Sequence, residues 1–348
     1  MSQTAALETP APVKIRYTNN NNIPLPLAVY LATDHYDYDP TAISATSLLK
    51  PVRQIVLKPR VPQTEQLIDV DSLIQSSLGT SIHNGIEHAW TTNYARAMRE
   101  LGHDQDLIDR VIINPNPELV TDDQVPIYME QRHYRMIEIG GQKYKISGKM
   151  DFIANGILHD FKSTSAFTYK HSNKDEDYRL QGSIYRWLAP EIITGDYIRI
   201  HYIFMDWAKY KLLSEKNYPP KRMHSVKLSL LSLEETEEFI RQKLTQIIEQ
   251  QTLPEQEITF CNDRELWRSE DTFKYYKNPE NAGVPGKRST ANFTTMAEAH
   301  ARLEKDGNVG QILTVKGQVK ACKYCPCISV CSQKDQYLQD GSLVLDDE

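Results

Sequence analysis

The sequence predicts a mixed α/β (α+β) fold, with a mixed β-sheet set among helices. Three observations predict it. Asn155-Gly156 joins two strand-like runs, and that dipeptide suits a two-residue hairpin because both central positions need positive φ. Tyr197–Asp206 reads YIRIHYIFMD, an alternation of β-branched and aromatic residues expected of a strand. Helical patterns lie around them, from about Thr80 to Leu101, over Asp175–Leu188 and over Leu233–Gln250.

Taken in order, residues 1–24 are polar, carry Asn19–Asn22, and are expected to form a flexible tail. Order is expected from Leu25. Ile43–Pro51 reads as a capped turn and a short helix that stops before the proline. Arg53, Lys58 and Arg60 follow as candidate phosphate contacts. The helix to Leu101 ends at Gly102 and carries His83 and Glu87 at i, i+4 on one face. Residues 103–125 read as a helix and loop. Strand character then runs through Val125–Glu130 and Tyr134–Ile139, turns at Gly140-Gly141 and enters the Asn-Gly hairpin. After a polar stretch, the helix Asp175–Leu188 puts Gln181 and Tyr185 on one face. A further strand is expected near Ser225–Leu230. The helix from Leu233 opens on the capping box Ser232-x-x-Glu235.

The chain has 348 residues, 40% of them hydrophobic and 25% charged, with a net charge of −6. Its mean hydropathy is −0.53. That composition is expected of a soluble protein, with no membrane span and no secretory signal. The acidic balance argues against a sequence-independent DNA coat and leaves room for a local basic surface. There are five cysteines, four of them between 322 and 331. Without an export signal, such clustering points to metal rather than disulfides.

The hairpin carries the chemistry. With Asn155-Gly156 as the loop, Ala154 faces Ile157, Ile153 faces Leu158, Phe152 faces His159 and Asp151 faces Asp160. The last pair would set two carboxylates about 4.5–5.5 Å apart at Cβ. Lys162 falls on the same face by strand alternation. Two carboxylates and a lysine suit a hard divalent cation bound to a phosphate. The lysine would orient a water or neutralise charge that develops during phosphodiester cleavage. The same register sets Lys149 against Lys162, so the pairing is expected to fray there.

Cys322-x-x-Cys325 and Cys331 form a tight group, with Cys327 inside it and Cys261 upstream. Four thiolates suit either tetrahedral Zn²⁺ or an iron–sulfur cluster. Cys261, Cys322, Cys325 and Cys331 are the favoured ligands and Cys327 the spare thiol.

In series these residues resemble the RecB-like branch of the PD-(D/E)XK nuclease superfamily, in particular its Cas4-like, phage-type exonucleases with a cysteine cluster. The matching motifs are Gly79-x-x-x-His83-x-x-x-Glu87, Gly148-x-x-Asp151, Asp160-Phe161-Lys162 and Gln181-x-x-x-Tyr185, and the resemblance spans about residues 43–332. It implies a restriction-endonuclease-like core and a Mg²⁺- or Mn²⁺-dependent deoxyribonuclease, an exonuclease acting on single strands or DNA ends. His83, Asp151 and Asp160 resemble the metal ligands, with the Phe161 carbonyl as a fourth. Lys162 resembles the catalytic lysine, Glu87 a supporting acid, and Gln181 and Tyr185 the pair that holds lysine and DNA. The cysteine ligands would carry a 4Fe–4S cluster, with Zn²⁺ as the alternative. Met150 replaces the family's proline, and Asp160 stands where many relatives have glutamate.

The expected domains are a tail over 1–24, a nuclease core over 25–250, a cysteine module over 251–335 and an acidic tail over 336–348. The expected setting is the cytoplasm of a bacterium or a phage-infected host. The rival reading is a catalytically silent DNA-end-binding domain or an accessory subunit. No Walker A pattern is present, so a helicase or annealing partner would be a separate protein.

Overall fold

The structure is a computed structural model describing residues 15–33, 39–62, 66–171 and 174–345. It divides into two compact units. One comprises residues 1–49 and 63–245, the other 50–62 and 246–348.

The first unit opens with β1 (Ile15–Thr18), α1 (Leu25–Leu31), β2 (Ile43–Ser44) and α2 (Ala45–Leu48). The Ser44 side chain caps α2 by accepting from the Ser47 N–H. The chain then passes through α3 (Val52–Leu57), which belongs to the second unit, and returns as β3 (Gln66–Asp69). β1 pairs parallel with β3. Residues 15–18 are therefore held by a strand ladder and do not belong to a loose tail. The signal was an alternating β-prone run, Ile15-Arg16-Tyr17-Thr18. Residues 1–14 lie outside the described residues.

The single helix expected over Thr80–Leu101 is two helices, α4 (Ile74–Thr92) and α5 (Tyr94–Glu100). Asn93, at φ −135°, breaks them. The hydroxyls of Thr91 and Thr92 donate to the carbonyls of Glu87 and His88, so side chains crowd the last turn of α4. Then come α6 (Gln105–Arg110), β4 (Val111–Ile113), β5 (Val125–Ile139), β6 (Gln142–Ala154) and β7 (Ile157–Thr164). β4 is a strand where the sequence predicts only helix and loop. α7 (Ala166–His171), α8 (Asp175–Leu188), β8 (Tyr197–Phe204), β9 (Met223–Ser229) and α9 (Leu233–Gln250) follow. The Ser232/Glu235 capping box of α9 forms in both directions, at 2.8 and 3.1 Å.

The main sheet has seven strands in the order β4-β5-β6-β7-β8-β9, with β2 added on β6. β4–β5 and β7–β8 are parallel, while β5–β6, β6–β7 and β8–β9 are antiparallel. This is the mixed α/β fold predicted. Trp90, Ile86 and Tyr94 of α4 and α5 pack on Val111, Ile127, Met129 and Phe152. α8 buries Ile184 and Leu188 completely or nearly so. Each such aliphatic side chain contributes about 1.5–3 kcal/mol of transfer free energy.

The hairpin forms with the expected loop, Asn155 and Gly156 both having positive φ. Its ladder holds Ala154–Ile157, Ile153–Leu158 and Phe152–His159 and stops there. Asp151 and Asp160 are not a ladder pair, so the strands diverge a step earlier than the sequence implied. Lys149 does not face Lys162. Its ladder partner is Arg132, and its ammonium pairs with Glu130 at 2.7 Å. β2 pairs with β6 only at Ile146 and Ser147, on the side that β7 uses at 152–154. Between those two short pairings, residues 148–151 have no ladder partner on that side. That stretch is Gly148-x-x-Asp151.

In the second unit, β10 (Thr272–Tyr276), β11 (Ala291–Phe293) and β12 (Gln311–Val315) form an antiparallel sheet with β10 central. α10 (Met296–Lys305) starts from a capping box of Thr295 and Glu298. The final helix is α11 (Gln333–Gln339). Residues 336–345 are not a loose tail, because Tyr337, Ser342 and Leu343 are buried. Tyr337 and Leu343 pack with Leu266 and Val319, and Cys261 and Cys322 lie against that cluster. Apolar residues interrupt the acidic run and draw it in. Arg53 is not a surface phosphate contact either, since it is 2% exposed and bonded inside this unit. Among the described residues no helix is long and apolar enough to cross a membrane.

Candidate active site

The site of the first unit is assembled around the peptide of Phe161. Where β6 and β7 diverge, the Phe161 N–H donates to Asp151 Oδ2 at 3.2 Å. The Phe161 carbonyl accepts from His83 Nε2 of α4 at 3.0 Å. A carbonyl only accepts, so Nε2 carries a proton. The other nitrogen, Nδ1, faces two carboxylates, Asp151 Oδ2 at 3.5 Å and Glu130 Oε1 at 3.7 Å. His83, Glu130 and Asp151 each offer one ligand atom, and these atoms lie within 4.8 Å of one another. Such a group has the donors and spacing of a divalent-cation site. A ring N–H held by a carbonyl is also a usual way of orienting a metal-ligating histidine.

Glu130 is the residue that sequence reasoning missed. It stands inside β5 with φ +52°, a left-handed conformation that costs a non-glycine residue of order 1–3 kcal/mol. Its ladder neighbours Met129 and Gln131 pair with Phe152 and Met150, and the Glu130 step is skipped. The twist aims the carboxylate at His83 and Lys149. Its one sequence signal was an acid ending the run VPIYME opposite Gly148-x-x-Asp151.

Electrostatics bind the group together. Hydrogen bonding to Asp151 and then Glu130 pushes His83 up to about 10, against burial. Burial works to raise Glu130, but His83 and Lys149 outweigh it and hold Glu130 below the usual carboxylate range.

Asp160 and Lys162 point to one face of β7, and their charged atoms are 2.6 Å apart. Burial pushes Asp160 up to about 6, with Lys162 pulling the other way and Asp151 adding to the push. Asp160 is 2% exposed, and its Oδ2 lies beside the ammonium without an aligned hydrogen bond. That oxygen is already ion-paired with the ammonium. Burial works against the charge of Lys162, but Asp160 and Asp151 outweigh it and keep the ammonium protonated. The Lys162 ammonium also lies 5.4 Å over the Tyr178 ring.

The other motif residues fall into place unevenly. Gln181 Nε2 donates to Tyr185 Oη at 2.9 Å on α8. A Cβ on Gly79 would sit 3.1 Å from Ser163 Oγ, so that glycine lets α4 approach β7. Glu87 is half-buried one turn beyond His83 and is not in the His83/Glu130/Asp151 group.

In the second unit the cysteines are free thiols, with Cys327 buried and Cys261, Cys322, Cys325 and Cys331 half-buried. Burial, then Glu265, Cys331 and Cys325, push Cys261 up to about 12, and burial with Cys325 and Cys331 pushes Cys322 up to about 11. A hydrogen bond from Cys327 brings Cys325 down to about 6. The Cys327 sulfur also lies 3.4 Å from the Gln54 carbonyl, a second acceptor competing for its one thiol proton. Gln333 holds Cys261 by both backbone groups, accepting from its N–H and donating to its carbonyl at 2.8 Å each. Cys325 and Cys331 are in electrostatic reach of both Cys261 and Cys322, although the four sulfurs are not drawn together as closely as the ligand atoms of His83, Glu130 and Asp151. Soft donors of this kind would bind a metal as thiolates, losing their protons as it binds.

No family model matches the chain, and no curated protein does. Solved structures similar to it include the following two. The crystal structure of SSO0001 is 18% identical over 68% of this chain and 91% of that one, with a TM-score of 0.37. A phage-related exonuclease from Haemophilus somnus 129PT is 15% identical over 34% of this chain and 62% of that one, with a TM-score of 0.21.

Proposed function

We propose that this protein is a divalent-metal-dependent deoxyribonuclease, an exonuclease of the PD-(D/E)XK kind acting on single strands or DNA ends. One observation carries the reading. Residues from four separate stretches, His83, Glu130, Asp151 and the Phe161 peptide, meet beside the Asp160–Lys162 pair. A structural hydrogen-bond network does not require a strained glutamate aimed at a histidine and a second carboxylate.

His83 through Nδ1, Glu130, Asp151 and Asp160 would hold Mg²⁺ or Mn²⁺. When bound, the ion supplies an activated water and offsets the charge of the scissile phosphate. Lys162 stays protonated, so it serves as a fixed positive charge for the phosphoryl oxygens and not as the proton acceptor. Asp160 holds that ammonium in place. Gln181 would face the DNA, while Tyr185, buried against Gly148, would hold Gln181 in place and seat α8. Glu87 would support the site as an acid one turn beyond His83. In the second unit, Cys261, Cys322, Cys325 and Cys331 would hold a 4Fe–4S cluster, with Zn²⁺ as the alternative. Any helicase or annealing protein would be a separate partner.

The test is digestion of end-labelled linear and circular DNA with Mg²⁺, Mn²⁺ or EDTA. Metal-dependent loss of linear substrate is expected, reduced at least about 100-fold by Asp160→Ala and by Lys162→Ala, the range seen when an electrostatic catalytic group is removed. Undiminished cleavage by both folded variants overturns the reading.

A further inference from the structure

Arg53 is a buried guanidinium, 2% exposed, in the second unit. Its Nε donates to Cys331 Sγ at 3.1 Å. Its Nη1 donates to the carbonyls of Ile258 at 2.8 Å and Glu255 at 3.2 Å. Its Nη2 pairs with the Glu255 carboxylate. The Phe260 ring lies 4.9 Å from the guanidinium carbon. Glu255 in turn accepts from the N–H of Ser332 at 2.9 Å and from its hydroxyl at 2.7 Å. The residue next to Cys331 is therefore clamped to the same acid that clamps Arg53, and the N–H···S contact has little freedom to drift.

A thiol is a weak acceptor. A buried arginine aimed at a neutral thiol makes a poor hydrogen bond, whereas one aimed at a thiolate makes a charge-assisted bond about twice as strong. Metal-bound cysteines are thiolates. We propose that Arg53 is a positioning residue for the metal centre. It is an outer donor to the ligand sulfur of Cys331, spreading that sulfur's negative charge and fixing its direction toward the site formed with Cys261, Cys322 and Cys325. The inference rests on the metal reading of the cysteines and adds a residue no motif contains. Outer donors of this kind set how tightly a metal is held and tune its electronic properties.

The full chain is purified anaerobically as wild type, Arg53→Met, Arg53→Lys and Glu255→Gln. Iron and zinc are counted, and metal retained against increasing EDTA is measured. The sulfur-to-metal absorption band is recorded, after Co²⁺ replacement if the metal is zinc. Arg53→Met should release metal at about 10-fold lower EDTA, with a shifted band. Arg53→Lys should fall between. Glu255→Gln removes the carboxylate charge while the Glu255 and Ile258 carbonyls still hold Arg53 with Nε on the sulfur, so its thermal midpoint should fall while its band stays near wild type. Wild-type retention and band in the arginine variants overturn the proposal. An equal band shift in Glu255→Gln also overturns it, reducing Arg53 to a structural role. If Arg53→Met does not fold, Arg53→Lys decides on the same readouts. A wild-type protein holding neither iron nor zinc overturns the metal reading itself, and that result is visible before any variant is made.

Discussion

Gly148 and Tyr185 are in contact through a space that only a glycine leaves open. A Cβ on Gly148 would lie 2.8 Å from two carbons of the Tyr185 ring and 2.7 Å from Leu188 Cδ1. The glycine of Gly148-x-x-Asp151 and the tyrosine of Gln181-x-x-x-Tyr185 thus form one packing unit, with α8 seated on the bare backbone of β6. Gly148→Ala should destabilise the protein by about 1–3 kcal/mol, the cost of overpacking a close contact. It should also lower nuclease activity by tilting α8. Urea unfolding and the digestion assay measure the two effects, and an alanine variant of wild-type stability would show that the contact yields freely.

Glu130 should matter more than Glu87. Glu130→Gln removes one of three clustered donors and should weaken Mn²⁺ binding at least about tenfold, since even outer-shell partners cost that much. Glu87→Gln should change the affinity far less, because Glu87 lies outside the group. Titration of free Mn²⁺ by electron paramagnetic resonance ranks them, and the reverse order would restore the assignment made from sequence.

His83 sets the pH behaviour. Its folded pKa is raised to about 10, so the protonated ring stabilises the metal-free fold. That stabilisation is fully present below the ordinary histidine value near 6.5 and is lost as pH rises through about 10. A cation must displace the same proton. Mn²⁺ affinity should therefore rise with pH between about 6.5 and 10, and binding near pH 7.5 should release close to one proton. Calorimetry in two buffers of different ionisation enthalpy gives the proton count, and a count of zero would remove His83 Nδ1 from the site.

The cysteines should divide four to one. Cys331→Ser should lose bound metal. Cys327→Ser should keep it, because Cys327 is 1% exposed and gives Cys325 a hydrogen bond that a serine hydroxyl can also give. Metal analysis of both purified variants is decisive, and loss from Cys327→Ser would redraw the ligand set.

Much of the fold was legible because local signals were strong and agreed. Asn155-Gly156 fixed the hairpin register over three pairs, and Ser232/Glu235 fixed the start of α9. The helix Asp175–Leu188 and the strand from Tyr197 fall where periodicity put them. What escaped depended on distant partners. β4 is three residues long and exists through its pairing with β5. The sheet of β10, β11 and β12 lies between Cys261 and Cys322, where cysteine spacing alone shows only a gap. Arg53 looked like a surface cation because nothing nearby in sequence announces Glu255, Ile258 or Cys331. Glu130 escaped because a left-handed residue inside a strand is imposed by the neighbouring strands and contradicts local propensity.

The interruption along β6 bears on how the site would tolerate change. The missing ladder partners between β2 and β7 are a matter of main-chain geometry and not of any one side chain. Side-chain substitutions nearby should therefore leave the divergence of β6 and β7 in place. An insertion that lengthens β2 by a few residues would extend its ladder along 148–151 and change the main-chain setting of Asp151 without altering a single polar residue of the group.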